Sequence, residues 1–341
     1  MTTTDSIRDA LLASPKARPV GARTKPALCD APAGTAFLDL SGHRGITDYE
    51  PGEFTFTARA GTPLRDIAET LARNGQYLPF DPPLVAEGAT VGGTIAAGLN
   101  GPGRLRYGGV RDFIIGATFL TGDARLIRGG GKVVKSAAGF DFPKLLVGSC
   151  GRLGVILEAT FKVFPLPQER LTAAAETGSL RAALELTARL VLQPADLDAL
   201  DFEPGGRVLV RLAGDHGTLE ARRERLSRET GAAFAAVGES CWAAPSGDAA
   251  LSVKVPLTPA RVPELDAALA SLGLPRRYSV AGQVAWVGLP AGQPAALDAA
   301  LRACRLGGLS LQTAPARLGL WPSSEGEQWV RRAFDPGGRL A

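Results

Sequence analysis

The segment Ala89-Thr90-Val91-Gly92-Gly93-Thr94-Ile95-Ala96-Ala97-Gly98-Leu99-Asn100-Gly101-Pro102-Gly103 is the most glycine-dense part of the chain. Residues without a Cβ allow sharp turns and close backbone approach, so this stretch must face a tight turn, a packed neighbour or a ligand. It reads as a turn, a short helix of small residues and an irregular loop. Small residues ahead of a helix let backbone N–H groups reach phosphate oxygens. The segment is not a dinucleotide fingerprint, because it lacks the Gly-x-Gly-x-x-Gly spacing and follows Asp81-Pro82-Pro83 instead of a strand. Nor is Gly129-Gly130-Gly131-Lys132 a P-loop, since Val133 stands where Ser or Thr is required. On the residues alone, a structural turn and a phosphate cradle both remain open.

Composition narrows the chemistry. A chain of 341 residues carries a prior of two domains, and a net charge of +4 without a basic run does not point to nucleic acid. Two histidines, His43 and His216, leave little for a metal site or a Ser/His/Asp triad, and no metal is expected. Cys29, Cys150, Cys241 and Cys304 are too far apart for a Cys-x-x-Cys unit or an iron–sulfur cluster. The longest apolar runs, such as 113–120, fall short of the roughly 18–20 residues that span a bilayer. Acidic residues near Met1 and the lack of an apolar core behind them argue against a signal peptide, so a cytoplasmic location is expected.

The pattern along the chain predicts an α+β fold. Residues 5–13 form a short helix with Ile7, Leu11 and Leu12 on one face, followed by an extended segment at 16–20 and a turn at 21–26. Residues 54–60 alternate apolar and polar as a half-buried strand does. Thr62 reads as the N-cap and Pro63 as the first position of a helix burying Leu64, Ile67, Ala68 and Leu71, closed by Asn74-Gly75. Residues 110–120 read as one strand, with a turn at 121–124 and a return at 125–127. A helical turn at 142–146 and a strand at 154–164 precede Pro165-Leu166-Pro167, which marks a boundary. Beyond it strands and helices alternate: 207–212, 218–230, 251–257, 258–272, 278–289 and 293–306. This predicts helices on one face of an antiparallel sheet.

Four separate segments, in order, resemble the FAD-binding domain of the vanillyl-alcohol oxidase and p-cresol methylhydroxylase type flavoproteins. Val20-Gly21-Ala22-Arg23-Thr24-Lys25 stands at the place of the first pyrophosphate loop, and Ala89-Thr90-Val91-Gly92-Gly93-Thr94 is similar to the Ala-Thr-x-Gly-Gly loop. Tyr107-Gly108-Gly109-Val110-Arg111-Asp112 resembles the Tyr-Gly segment, and residues 147–156 resemble the Gly-Ser-x-Gly-x-Leu-Gly-Val-Ile signature. The resemblance implies an FAD-binding domain over residues 1–167, a cap-like α+β domain over 168–330 and a tail over 331–341. It implies cofactor contacts at Gly21, Ala22, Arg23, Thr24, Lys25, Pro82, Ala89, Thr90, Gly92, Gly93, Thr94, Gly98, Tyr107, Gly108, Arg111, Asp112, Gly154 and Ile156. Lys135 and Asp141 are weaker candidates for flavin occupancy or assembly. Glycines are common in the family where Ala22 and Arg23 stand, so Gly21 is left to approach the pyrophosphate, with Arg23 or Lys25 adding charge.

Within that superfamily the chain resembles the glycolate oxidase FAD-binding subunits, on residues 42–51, 57–64, 133–141 and Ala333-Phe334-Asp335-Pro336-Gly337-Gly338. From Leu171 to Arg332 the likeness lies mainly in layout. Covalent flavin attachment in this superfamily uses a nearby His or Cys. Neither loop offers a histidine and Cys150 reads as a buried small residue, so the implied FAD is non-covalent. His43 and His216 read as surface or capping residues. Relatives that oxidise 2-hydroxy acids carry a histidine-rich acidic motif in the cap, which this chain lacks after Leu171. The resemblance therefore implies a flavin-bearing partner of a catalytic flavin subunit and an iron–sulfur subunit, with at most peripheral membrane association. Two alternatives stay open: a stand-alone FAD-dependent alcohol or sugar dehydrogenase using Tyr107 or Arg111, and an assembly module with a degenerate FAD fold.

Overall fold

The computed structural model describes residues 2–131, 140–193, 196–242, 251–290, 293–321 and 325–341; Lys132, Val133 and Lys135 lie outside them. The first helix, Thr4–Ala13, is capped by Thr3, whose side chain accepts the Ser6 N–H, and it buries Ile7 and Leu11. Leu12, expected on the same face, is 50% exposed, because successive helical residues are rotated by about 100° and only i, i+4 pairs share a stripe. Strand Ala17–Val20 then pairs in parallel with Ala36–Asp39.

A second sheet has five strands in the order Ile46–Glu50, Thr55–Arg59, Val155–Lys162, Ile114–Leu120 and Leu126–Gly130, each pair antiparallel. Its core joins Phe56, Phe119 and Phe161 to Ile67 and Leu71 of helix Leu64–Ala72 and to Ile95 of helix Val91–Ala97. Val155 and Leu157 belong to a different cluster, with Ile7, Leu11 and Leu38, so this central strand is buried on both sides.

That two-sided burial corrects the half-buried reading of 54–60. Thr55 and Thr57 are 8% exposed, and Thr57 Oγ1 lies 2.9 Å from Thr160 Oγ1 across the sheet. Two helix starts also differ from expectation. Pro63 is the N-cap of Leu64–Ala72, while the Thr62 hydroxyl donates to the Arg59 carbonyl and accepts the Gly45 N–H, and Ala68 is exposed. Residues Val110–Phe113 form a helical turn, with Asp112 accepting the Gly109 N–H, and the strand begins only at Ile114.

After Pro165 the chain builds a nine-stranded sheet from two successive β-α-β-β-α-β units and a last strand, Arg317–Gly319, at the edge beside Gly307–Ser310. The first unit orders its strands Ala235–Val237, Glu169–Glu176, Arg207–Gly214, Ala199–Phe202; the second Arg276–Ser279, Val284–Gly288, Leu251–Pro256, Gly307–Ser310. They meet edge to edge at Phe202 and Tyr278, whose rings stack 5.2 Å apart. Helices Leu180–Leu192, Leu219–Thr230, Val262–Ser271 and Pro294–Ala303 cover one face through Leu186, Leu226, Leu265 and Leu297. The 278–289 segment, expected as one strand, is a hairpin turning at Val280 to Gly282, all at positive φ.

The other face of this sheet turns toward the first domain. Trp286 and Leu309 of that face join Leu28, Ala97, Leu99 and Leu311 in one cluster. The last helix, Glu325–Phe334, returns the chain to the five-stranded sheet, where Phe334 packs on Phe119 and Phe142. Asp335 then accepts the Arg339 and Leu340 N–H groups, and Leu340 bridges to Ala17.

Candidate functional site

A cleft of about 700 Å³, its open mouth included, runs between the small parallel sheet and the helix Val91–Ala97. One wall is the loop after Val20: Gly21, Ala22, Arg23, Thr24 and Lys25, continued by Leu28 and Cys29. The other wall is Thr90, Gly92, Gly93 and Ala96, and the floor is Cys150, Gly151, Gly154 and Ile156. Three of the four sequence segments singled out above thus meet around one cleft.

Glycine makes this closeness possible at two positions. A Cβ on Gly21 would lie 2.5 Å from Thr90 Oγ1, so the two walls touch only because residue 21 has no side chain. A Cβ on Gly92 would stand 2.8 Å from the Ala60 Cβ, which presses the helix onto the sheet. Gly92 therefore serves packing, and Gly93 is the glycine of this pair with room on the cleft side, its added Cβ meeting only Thr90 Oγ1 at 3.1 Å.

The electrostatics point to an anion, but the donors are not those expected at residues 92–94. The Val91 N–H donates to the Thr62 carbonyl, Gly92 to the Ala60 carbonyl, Gly93 to Thr90 Oγ1 and Thr94 to the Thr90 carbonyl. The free donors are in the other wall: among the described residues, the N–H groups of Ala22, Arg23 and Thr24 have no acceptor. Arg23 has φ +54, a left-handed turn that gathers successive amides into a concave anion-binding arrangement. Lys25 is 7% exposed, and among the described residues the only hydrogen bond of its ammonium is to Thr24 Oγ1, at 3.0 Å. Burial holds this lysine below its ordinary pKa, the penalty of an ammonium with no carboxylate beside it. Arg23 instead stacks its guanidinium on the Phe37 ring, 4.6 Å from its centre.

These features fit the pyrophosphate of FAD: three unused amides, a buried cation and walls that close only on glycine. Thr94 Oγ1, buried and without a partner, is a further polar atom left unsatisfied at this helix.

The remaining expected residues lie elsewhere. Ala89 is buried and accepts the Leu64 N–H through its carbonyl; Pro82 is partly exposed and outside the cleft lining. Tyr107 packs against Tyr77 and Phe164, and burial raises its phenol well above the ordinary range. Gly108 takes φ +85, while Arg111 and Asp112 are exposed. None of these four lines the cleft. Gly98, at φ +61, ends the helix and meets the second domain: its carbonyl accepts the Lys254 ammonium at 3.3 Å. Asp141 caps the helix Phe142–Leu146 and pairs with Lys144 at 2.9 Å, a structural role. His43 is buried, not at the surface, with Nδ1 3.0 Å from the Thr2 carbonyl, whereas His216 stands in an exposed turn beside Glu169.

Cys150 lines the cleft in a left-handed conformation at φ +49, and burial pushes its thiol up, away from nucleophile chemistry. Sequence reasoning missed the polar groups that face the first domain from the second. Lys254 is held down to about 8 by burial and by the nearby Arg104. Arg211 joins Asp198 and Asp81, each at 2.5 Å, and Asp81 also accepts the Gly103 N–H at 2.8 Å. Asp81 sits in the Asp-Pro-Pro turn; its pairing with a residue 130 positions away has no local signal.

Residues 2–130 match the FAD binding domain family. Over 192 residues the chain is 43% identical to glycolate oxidase subunit GlcE of Escherichia coli strain K12, covering 56% of this chain and 54% of that protein. It is 32% identical over 159 residues to glycolate oxidase subunit GlcD of Bacillus subtilis, covering 46% and 34%. A D-lactate dehydrogenase of Archaeoglobus fulgidus is 34% identical over 143 residues, covering 42% and 32%. The chain thus spans about half, or less, of the length of these relatives. Among solved structures, an alkyldihydroxyacetonephosphate synthase superposes with a TM-score of 0.71 over 98% of this chain and 74% of its own, at 14% identity. That likeness is one of fold, and it runs through both domains.

Proposed function

We propose that this chain, whose residues 2–130 belong to the FAD-binding domain family, is the FAD-binding subunit of a multi-subunit glycolate oxidase. It works beside a catalytic flavin subunit and an iron–sulfur subunit in the oxidation of glycolate to glyoxylate. The observation that carries this reading is the 43% identity to the Escherichia coli glycolate oxidase subunit, joined to a cleft built for a pyrophosphate. Bound FAD supplies the two-electron acceptor and can release electrons singly. The residues of this chain hold it: the amides of Ala22, Arg23 and Thr24 with the Lys25 ammonium face the pyrophosphate, and Gly154 and Ile156 form the cleft floor. Attachment is non-covalent, in keeping with the burial that raises both thiols of the cleft, Cys29 and Cys150, away from the thiolate. Residues 1–167 form the cofactor domain, 168–330 the cap and 331–341 the tail. Among the described residues no helix is long and apolar enough to cross a membrane, and the proposed location is the cytoplasmic face, with peripheral contact at most.

The test is the visible spectrum of the purified chain, followed by acid precipitation. Flavin bands with FAD released into the supernatant are expected, together with reduction by glycolate only when the partner subunits are present. A Gly93→Asp variant, which places a carboxylate where the cleft has room, should lose at least nine-tenths of the bound flavin while keeping its far-ultraviolet spectrum. Full flavin content in Gly93→Asp would remove the cleft assignment, and rapid turnover of glycolate by the single chain would replace the partner-subunit reading with a stand-alone dehydrogenase.

A further inference from the structure

A second cavity, separate from the cleft and about 1230 Å³ with its open mouth included, lies on the far side of Arg18. Four elements contribute cations to it: Lys16 and Arg18 around the first strand, Arg152 from the loop before Val155, Arg317 from the last strand of the large sheet, and Arg331 from the last helix. Two negative groups line it among the described residues, the Asp30 side chain and the terminal carboxylate of Ala341, against five cations. The positive charge is therefore only partly neutralised internally. The Arg152 side chain has no ion pair and no hydrogen bond among the described residues, although its backbone N–H donates to the Ser149 carbonyl. Among the described residues the Arg331 side chain reaches only the Leu340 carbonyl, at 3.5 Å, and Arg317 pairs with one carboxylate, Glu327, also at 3.5 Å, while it lies over the Trp321 ring. Arg18 is 4% exposed; it gives two of its nitrogens to the carbonyls of Cys150 and Asp30, and its buried Nε has no acceptor.

Bringing guanidinium groups together in a recess is costly unless an anion joins them. Arg152 is held below its ordinary pKa by burial and then by Arg317, Arg18 and Arg331. The guanidinium fork matches phosphoryl oxygens two at a time, and several forks on separate elements suit an anion with oxygens on more than one side. The recessed position of Arg18, 4% exposed, favours a small ligand able to enter the basin and disfavours a flat protein surface.

We propose that this basin binds a compact polyanion bearing linked phosphoryl groups, either free or as part of a nucleotide, at a site distinct from the flavin cleft. The site joins both domains and the last helix, so its occupant ties together the elements that carry Arg18, Arg317 and Arg331. This inference stands apart from the glycolate oxidase reading, because none of its residues is assigned to the flavin.

The experiment titrates the full-length chain, as purified and with FAD present, with inorganic pyrophosphate at low ionic strength, following heat of binding and flavin absorbance together. Saturable binding with unchanged flavin absorbance is expected, weakened about tenfold to a hundredfold in Arg152→Ala, where charged hydrogen bonds are lost. Arg152→Lys, which keeps charge without the fork, should fall between. A parallel titration with ADP separates the two sources: equal affinity indicates that the nucleoside is not read, and tighter binding indicates a nucleotide. No saturable binding, binding unchanged in an Arg152→Ala and Arg331→Ala double variant, or displacement of flavin by pyrophosphate would each overturn the proposal. So would binding of poly-glutamate without binding of pyrophosphate, which would make the basin a contact for an acidic protein segment.

Discussion

Lys254 places an ammonium at the seam between the two domains, and its surroundings make a pH signature. Burial and Arg104 lower it to about 8, while the unfolded chain keeps the ordinary value of 10.5. Between these values the unfolded state binds more protons than the folded one, so stability rises as pH climbs from about 8 to 10.5. Unfolding free energies from denaturant titrations at pH 7.5, 9 and 10 should therefore increase, by an amount of order 1–3 kcal/mol, with the midpoint rising in step, and Lys254→Met should flatten the rise. A midpoint that falls over this range in the parent chain and not in the variant would reverse the assignment. The residue scale is also where the sequence was least legible. Lys25 was readable because it sits in a recognisable loop. Lys254 was not, because a lysine in a six-residue strand has the same local pattern whether it meets solvent or the Gly98 carbonyl.

Elements were legible where a local rule decided them. The run of small residues read as a short helix between a turn and a loop, and the structure bounds it at Val91–Ala97, with Thr90 as N-cap and Gly98 as C-cap. The hairpin at 278–289 was hidden because Val280 and Ala281 adopt left-handed conformations that side chains usually avoid, so the turn carried only Gly282 as a signal. Its partner element explains the strain. The Ala281 N–H donates to the Leu200 carbonyl, and Asp201, fully buried, accepts the Ser279 hydroxyl at 2.7 Å and the Val280 N–H at 3.2 Å. Long-range pairing also decides strand Arg207–Gly214, whose Arg211 is clamped by Asp198 and Asp81. Asp198 is completely buried, so Arg211→Met leaves its charge uncompensated and should cost about 3–5 kcal/mol in denaturant unfolding. Adding Asp198→Asn should restore most of that loss; a single variant costing less than about 1 kcal/mol would mean that solvent reaches the pair.

At the scale of the molecule, two layers of evidence for architecture were unequal. The four motifs, read by resemblance, pointed to one cofactor-binding region; three of them meet around the cleft, and residues 107–112 do not. The edge-to-edge joining of two β-α-β-β-α-β units was not readable, since it rests on contacts between residues far apart in sequence: the Phe202–Tyr278 ladder pair, the Ala281 N–H to the Leu200 carbonyl and the bonds of Asp201 to Ser279 and Val280. The closing contact of the chain is similarly non-local. Asp335, 6% exposed, holds the Arg339 and Leu340 N–H groups at 2.8 and 2.7 Å, and a Cβ on Gly122 would collide with its carboxylate. Asp335→Ala should lower stability by about 1–3 kcal/mol and open residues 335–341 to carboxypeptidase digestion. An unchanged melting temperature with a protease-resistant tail would show that Phe334 alone secures this segment.

The bridge from Leu340 to Ala17 also has a meaning in time. A ribosome makes residue 17 first and residue 340 more than three hundred steps later, at about 5–20 residues per second. For that whole interval the edge of the cofactor half lacks the segment that finishes it. Through that interval the Ala17 edge stays unpaired with Leu340, and it closes only after the second domain has been made. Flavin loading during synthesis would precede that pairing, which makes cofactor capture and this closure separable in time.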